Sequence, residues 1–268
     1  GTTATQDNIK ELAKVIESHG DIATLYKPYE HLYKIIVDEN WNLPTISLCS
    51  LQQATDLLST VLYPGAYCNL QNFKCTQYYP HFSKYLLNSE YCMLPYGDLI
   101  NCKKNLFRWL GNNNSLFIRP DSGFKEFTGQ IVNYETFERD IKSLECFEPQ
   151  SDLLCLVAEP KNIMCEWRLV IANKKVVASS QYKCNGRHSE HEGCPEFVKI
   201  GTEYTINSIG WEPELCYTID VCQLNNGDIR VIELNSFSCS GLYLCDLEDV
   251  VREVRKVVIE DWNDVYGG

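Results

Sequence analysis

The sequence predicts an α+β chain built on antiparallel hairpins, and three observations carry that expectation. Asn226-Gly227 sits between two strand-like runs, the strongest short-range hairpin signal. Residues 166–172 and 175–181 form a second such pair around Asn173-Lys174. Residues 246–262 place Leu247, Val250, Val251, Val254, Val257 and Val258 on one stripe at helical spacing.

The remaining elements follow in chain order. Over residues 6–20, Ile9, Leu12, Ala13, Val15 and Ile16 recur at helical spacing, and Gly20 ends the run. Short apolar pieces at 35–37 and 45–48 flank Pro44, and residues 52–61 read as another helix. Residues 62–105 are rich in Tyr, Cys, Asn and Pro, and their weak periodicity assigns no element. From residue 115 the rhythm is clearer. Residues 116–119 read as a strand and 120–129 as a glycine-bearing loop. Residues 134–144 read as a helix with Glu135, Glu138 and Arg139 outward, and 153–159 as a buried strand. Residues 184–210 read as a loop-rich insertion. The expected division is an N-terminal α/β region over 1–105 and a second region over 106–268.

At 268 residues, 44% of them hydrophobic and 22% charged, the composition is that of an ordinary globular chain with ample core. No stretch approaches the roughly 18–20 apolar residues of a membrane span. The opening GTTATQDN lacks the charged-then-apolar layout of a signal peptide. A net charge of −12 without a basic stripe argues against a duplex-binding surface. The 16 Tyr mix with acids and Asn rather than with Lys and Arg, so no single-strand groove is expected either. The 14 Cys are scattered without any CxxC, and Cys155 and Cys222 fall inside expected strands, where cysteine acts as a small apolar residue. A chain of this size needs no disulfide staples, so a reducing, cytoplasmic compartment is expected.

The chemistry concentrates at the Asn226-Gly227 hairpin. With those two residues as the loop, Asn225 pairs with Asp228, and counting back sets Asp220 opposite Glu233. Asn235 leaves the same face two residues on. Opposed side chains have Cβ atoms about 5 Å apart. Two carboxylates that close repel unless a cation lies between them. Two acids and an amide oxygen, with Cys222 as the only soft ligand on that face, suit Mg²⁺ or Mn²⁺ better than zinc. An exposed polar face is the plainer alternative. The other face, Ile219, Val221, Ile232 and Leu234, is expected to pack. Since metal-free acids would repel, Asp220→Asn or Glu233→Gln is expected to leave folding intact or improved.

Other charged residues stand upstream at element ends. Arg119 closes a strand, Lys125 sits in the loop after it, and Glu159 precedes Pro160 after the buried strand. Glu166 and Arg168 share one strand face, where a structural ion pair is the plain alternative, and Lys183 follows the second hairpin strand. The segments FIRPDSGFKEFTG, LVAEPKNIMCEWRLVIANKKVVASSQY and IDVCQLNNGDIRVIELNSFSCSGLY carry these residues in an order that resembles the ATP-grasp superfamily. More narrowly, they resemble its small members from phages, large viruses and bacteria. The most specific part is the Asp…Glu-x-Asn end.

The resemblance implies an ATP-grasp fold, two α/β lobes with antiparallel sheets around a nucleotide cleft, preceded by the N-terminal region. It implies an ATP-dependent carboxylate–amine ligase that activates a carboxylate as an acyl-phosphate for attack by an amine. Asp220, Glu233 and Asn235 would hold Mg²⁺ against the β- and γ-phosphates. Arg119 and Lys183 would reach phosphate, and Lys125 would close over it on a mobile loop. Arg168 would stabilise the transferring phosphoryl group. Residues 157–159, ending at Glu159, would border adenine, and Glu166 would bind ribose hydroxyls. The implied partners are ATP and a small-molecule, peptide or protein acceptor. A nucleotide-binding scaffold or regulator, or a phosphotransferase on the same fold, stays open as an alternative.

Cys184, His188, His191 and Cys194 are four soft ligands within eleven residues, but their spacing matches no standard zinc knuckle, and exposed loop residues are expected. GxxxxGK[ST], GxGxxG, HExxH and GxSxG do not occur.

Overall fold

A computed structural model describes residues 6–26, 43–58, 60, 62–124, 126–144 and 148–267. The apolar piece expected at 35–37 lies outside them, as does Lys125. The chain forms two compact units, residues 1–69 with 163–268, and residues 70–162. The division expected at 105/106 falls inside the helix Leu99–Leu110. Among the described residues no helix is long and apolar enough to cross a membrane.

The unit of residues 70–162 is a four-stranded antiparallel sheet with helices on it. Its strands are β3 (Tyr91–Pro95), β4 (Ser115–Pro120), β5 (Gln130–Asn133) and β6 (Leu154–Ala158), in the spatial order β3-β6-β4-β5. Helices α4 (Leu99–Leu110) and α5 (Phe137–Ser143) bury Leu99, Leu106, Phe137 and Ile141 against Leu116, Ile118, Val132 and Val157 of the sheet. Helix α3 (Cys75–Phe82) packs through Tyr78, Tyr79 and Phe82. That aromatic face, with Pro80 inside the helix, explains why residues 62–105 show no aliphatic periodicity.

The other unit begins with α1 (Gln6–Ser18), the parallel pair β1 (Pro44–Ile46) and β2 (Tyr63–Gly65), and α2 (Leu51–Leu57) between them. Ser50 and Gln53 start α2 with a reciprocal capping box. Its main sheet is antiparallel, in the order β11-β10-β7-β8-β9. These strands are β7 (Ile163–Ala172), β8 (Lys175–Cys184), β9 (Arg187–Glu192), β10 (Cys216–Leu224) and β11 (Ile229–Ser236). The β7–β8 turn falls at Asn173-Lys174 as the sequence predicts, with φ of 46° and 58°. Two positive φ values in a two-residue loop suit the right-handed twist of the flanking strands.

One expectation is corrected here. Residues 184–210 are ordered as β9 and the helix α6 (Glu196–Ser208). β9 is the edge strand RHSEHE, which buries no side chain and so shows no apolar alternation. Helix α6 buries Val198, Thr202, Thr205 and Ile206, and two of those four are polar, which hides its stripe.

The central strands have two different faces. Trp167, Leu169 and Ile171 of β7, with Tyr217, Ile219 and Val221 of β10, are buried on one face, and α6 packs against β8 and β11. On the other face the expected amphipathic helix, α7 (Leu247–Tyr266), lays Val250, Val254, Val257 and Val258 on Val170, Ala172, Ala178 and Cys216. Asp246 caps α7 by accepting from the Asp249 backbone N–H. The charged side of the hairpin is therefore half covered. Its apolar end holds α7, and its polar end carries the site.

Candidate functional site

The Asp220–Glu233 pairing exists, but the chain reaches it differently from the count made on sequence. Leu224 and Asp228 close a three-residue loop, with the Leu224 N–H donating to the Asp228 carbonyl at 2.9 Å and the Gly227 N–H to the Leu224 carbonyl at 2.9 Å. Gly227 takes φ +89°, which closes such loops and which glycine adopts without strain. The extra loop residue shifts the register by one, so Val221 faces Val231 rather than Ile232. A bulge between Asp220 and Val221 then restores the count, and Asp220 faces Glu233. Ile232 sits in the bulge half-buried, and Val231 takes the packing role expected of it.

A second strand adds what the hairpin alone does not reveal. Arg168 of β7 faces Asp220 from the other side, so one row across three strands reads Arg168, Asp220, Glu233. The pair is bidentate, with Arg168 Nε to Asp220 Oδ1 at 2.8 Å and Nη2 to Oδ2 at 2.7 Å. Nη1 donates to the Gly241 carbonyl at 3.0 Å, and the guanidinium lies 5.1 Å from the Tyr243 ring centroid. The side chains are only 10% and 4% exposed, so this is a buried ion pair. Burial alone would lower the Arg168 value, but the Asp220 carboxylate outweighs it and holds the guanidinium firmly protonated.

Around that row the polar groups are cross-linked. Asn235 Nδ2 donates to Glu233 Oε1 at 3.0 Å, which turns the amide oxygen away from that contact. Glu166 accepts from the Tyr182 hydroxyl at 2.8 Å and pairs with Lys183 at 2.9 Å. A bulge between Glu166 and Trp167 leaves Tyr182 unpaired in β8. Its ring stacks on Tyr243 at 5.0 Å and 12°. Burial, and then the Asp220 and Glu166 carboxylates, push the Tyr182 phenol well above its ordinary value, so it remains a neutral donor. Cys222 is buried and its thiol is pushed up to about 12, chiefly by burial, so it stays a thiol.

The donor chemistry fits a hard cation. Glu233 and the Asn235 amide supply oxygen donors, and each Asp220 oxygen keeps a lone pair beyond its bond to Arg168. The protonated Cys222 offers no thiolate. Among the described residues no group of three or more His, Cys, Asp and Glu side chains forms a metal-holding cluster, and this set contains only two acids and an amide.

Six expected site residues, Glu166, Arg168, Lys183, Asp220, Glu233 and Asn235, thus share one sheet of one unit. Arg119 and Glu159 belong to the other unit. Arg119 is buried on β4, facing Leu156. Glu159 accepts from Asn112 Nδ2 at 2.6 Å, and the Lys161 ammonium beside it holds its carboxyl below the ordinary value. That same unit contains a cavity of about 510 Å³ lined by Lys74, Asp121, Glu126, Glu148, Gln150 and Asp152. The soft-ligand set is not assembled, since Cys184 is disulfide-bonded to Cys165 and His188 pairs with Glu190. Tyr182 and Tyr243 were not expected at the site. The signal for the first is a bulge that no local pattern announces. The signal for the second is a backbone φ of +51° that only the folded loop reveals.

Residues 102–252 match a family model of the ATP-grasp domain, the second family of its clade, which covers more than half of the chain. The chain belongs to this ATP-grasp family. Among solved structures, that of the D-cycloserine synthetase DcsG is similar at a TM-score of 0.61 and 9% identity, over 94% of this chain and 95% of that one. A RimK domain ATP-grasp protein from Sphaerobacter thermophilus DSM 20745 is similar at a TM-score of 0.56 and 11% identity, over 98% of this chain and 95% of that one. At such identities these neighbours establish the ATP-grasp fold. No curated protein sequence matches the chain.

Proposed function

We propose that this ATP-grasp protein is an ATP-dependent ligase that activates a carboxylate as an acyl-phosphate and passes the acyl group to an amine. The observation that supports this best is the row Arg168–Asp220–Glu233 with Asn235 beside it, placed on the sheet of an ATP-grasp domain. Asp220, Glu233 and Asn235 would hold Mg²⁺ or Mn²⁺. When bound, that ion supplies charge neutralisation to the β- and γ-phosphates.

Arg168 would do two things. Its bidentate hold fixes the Asp220 carboxylate in one orientation, and its charge sits beside the phosphate position. Lys183, released from Glu166, and Arg119 would contact phosphate oxygens. Lys125 would cover them and exclude water from the acyl-phosphate. Glu166 would accept from ribose hydroxyls, with the Tyr182 hydroxyl fixing its carboxylate. Glu159 follows the strand that would border adenine. The acceptor would be a small molecule, a peptide or a protein, in a cytoplasmic setting.

The test is ADP and phosphate release by the purified chain with Mg·ATP and pooled amino acids and peptides. ADP formation that requires both a carboxylate and an amine supports the ligase. ADP formation with phosphate retained on the acceptor points to a phosphotransferase. Nucleotide binding without turnover in any pool points to a scaffold or regulator.

A further inference from the structure

Three cysteines that the site does not use meet at one point. Cys68 follows β2, Cys239 lies in the turn after β11, and Cys49 precedes α2. The Cys68 and Cys239 sulfurs are 3.5 Å apart. The backbones are fixed together as well. The Cys49 N–H donates to the Ser238 carbonyl at 2.8 Å, and the Tyr67 N–H donates to Ser238 Oγ at 2.9 Å. Cys68 is buried, while Cys49 and Cys239 are partly open to solvent.

We propose that Cys49, Cys68 and Cys239 form an oxidative modification site, in which a disulfide oxidant such as glutathione disulfide closes the Cys68–Cys239 bond through Cys49. The separation of 3.5 Å must shorten to about 2.05 Å, a side-chain movement within tethered backbone. The Cys49 thiolate attacks one sulfur of glutathione disulfide, and a glutathione thiolate leaves. Cys239 then attacks the Cys49 sulfur and displaces the second glutathione thiolate. Cys68 attacks the Cys239 sulfur, which returns Cys49 as a thiolate. The two thiol protons of Cys68 and Cys239 end on the two glutathione thiolates, and the two electrons end there as well.

The local chemistry assigns the order. The Cys239 thiol beside Cys49 holds Cys49 below the ordinary cysteine value, so it is the readiest nucleophile. Cys239 is pushed up to about 12, first by its bond to Cys49, and Cys68 is pushed up by its bond to Cys239 and by burial. The bond would tie residue 68 to the turn whose Gly241 carbonyl receives Arg168 Nη1, so oxidation would stiffen the support of the buried ion pair.

The test is mass spectrometry of the full chain after exposure to glutathione disulfide, quenching in acid, alkylation under denaturant and digestion. The expected result is a Cys68–Cys239 cross-linked peptide, equal loss of alkylated Cys68 and Cys239, and Cys49 still alkylated. In Cys68→Ser, Cys49–Cys239 replaces it, and in Cys239→Ser, Cys49 stops as the glutathione mixed disulfide. The unmodified chain carries the decision if either variant fails to fold. Free Cys68 and Cys239 after treatment, or cross-links spread over the other free cysteines, would overturn the proposal.

Discussion

Asp220→Asn separates a structural from a repulsive role for the acidic face. Sequence reasoning expects the change to be neutral or favourable, because it relieves two facing acids. The folded chain requires the opposite, because Asp220 is the counterion of a buried guanidinium. The amide keeps one acceptor where the carboxylate used two, and its charge is gone. Removing one partner of a buried pair costs about 3–5 kcal/mol. The Gly241 carbonyl and the Tyr243 face remain, which favours the lower end. At about 2–4 °C per kcal/mol for a chain near this size, the midpoint should fall by roughly 6–20 °C. Urea unfolding followed by tryptophan fluorescence reports directly on this sheet, since Trp167 is buried next to Arg168. Asp228→Asn is the control, because its pair with Arg230 is exposed and worth at most about 1 kcal/mol. Adding Arg168→Met to Asp220→Asn should recover much of the loss, as apolar replacement of a buried pair often does. An Asp220→Asn chain as stable as its parent, or a double variant worse than the single, would refute this reasoning.

Other outcomes follow from the same geometry. Gly227→Ala should cost about 1–2 kcal/mol in urea unfolding, since a side chain at φ +89° is strained, and a neutral result would count against the three-residue loop. Burial raises the Glu214 carboxyl from its ordinary 4.5 to about 8. The stability of the neutral folded form is fully present below 4.5 and is lost as pH rises through 8, so the parent should weaken across that window by on the order of a few kcal/mol relative to Glu214→Gln. Parallel stability curves from pH 4 to 9 would show Glu214 to be freely solvated. Tyr182→Phe should weaken nucleotide binding less than Glu166→Gln does, because the phenol only orients that carboxylate, and the reverse order in titration calorimetry would reassign the pair.

What the sequence revealed divides by distance along the chain. Both hairpins, the α7 stripe and the Asp220–Glu233 pairing are local, set by turn residues and alternation within a few tens of residues. Even there, the pairing survived only because an extra loop residue and the bulge at Ile232 cancel. The Arg168–Asp220 pair joins residues 52 positions apart through strands that are not consecutive in sequence, and no periodicity encodes that adjacency. The Tyr182 bulge and the Tyr243 loop conformation likewise depend on the assembled sheet. Edge strand β9 and helix α6 escape sequence patterning because their side chains do not alternate cleanly between apolar and polar.

Isothermal titration of Mg·ATP into the parent chain and into Glu233→Gln bears most directly on the acidic row. Glu233 faces Asp220 across the hairpin, so its replacement relieves repulsion while removing a cation ligand. Saturable binding by the parent that requires the divalent ion, and its loss in a Glu233→Gln chain with an unchanged urea midpoint, is the expected result. Equal binding by both chains, or no heat from the parent with any purine triphosphate, would contradict a nucleotide–metal site on this face.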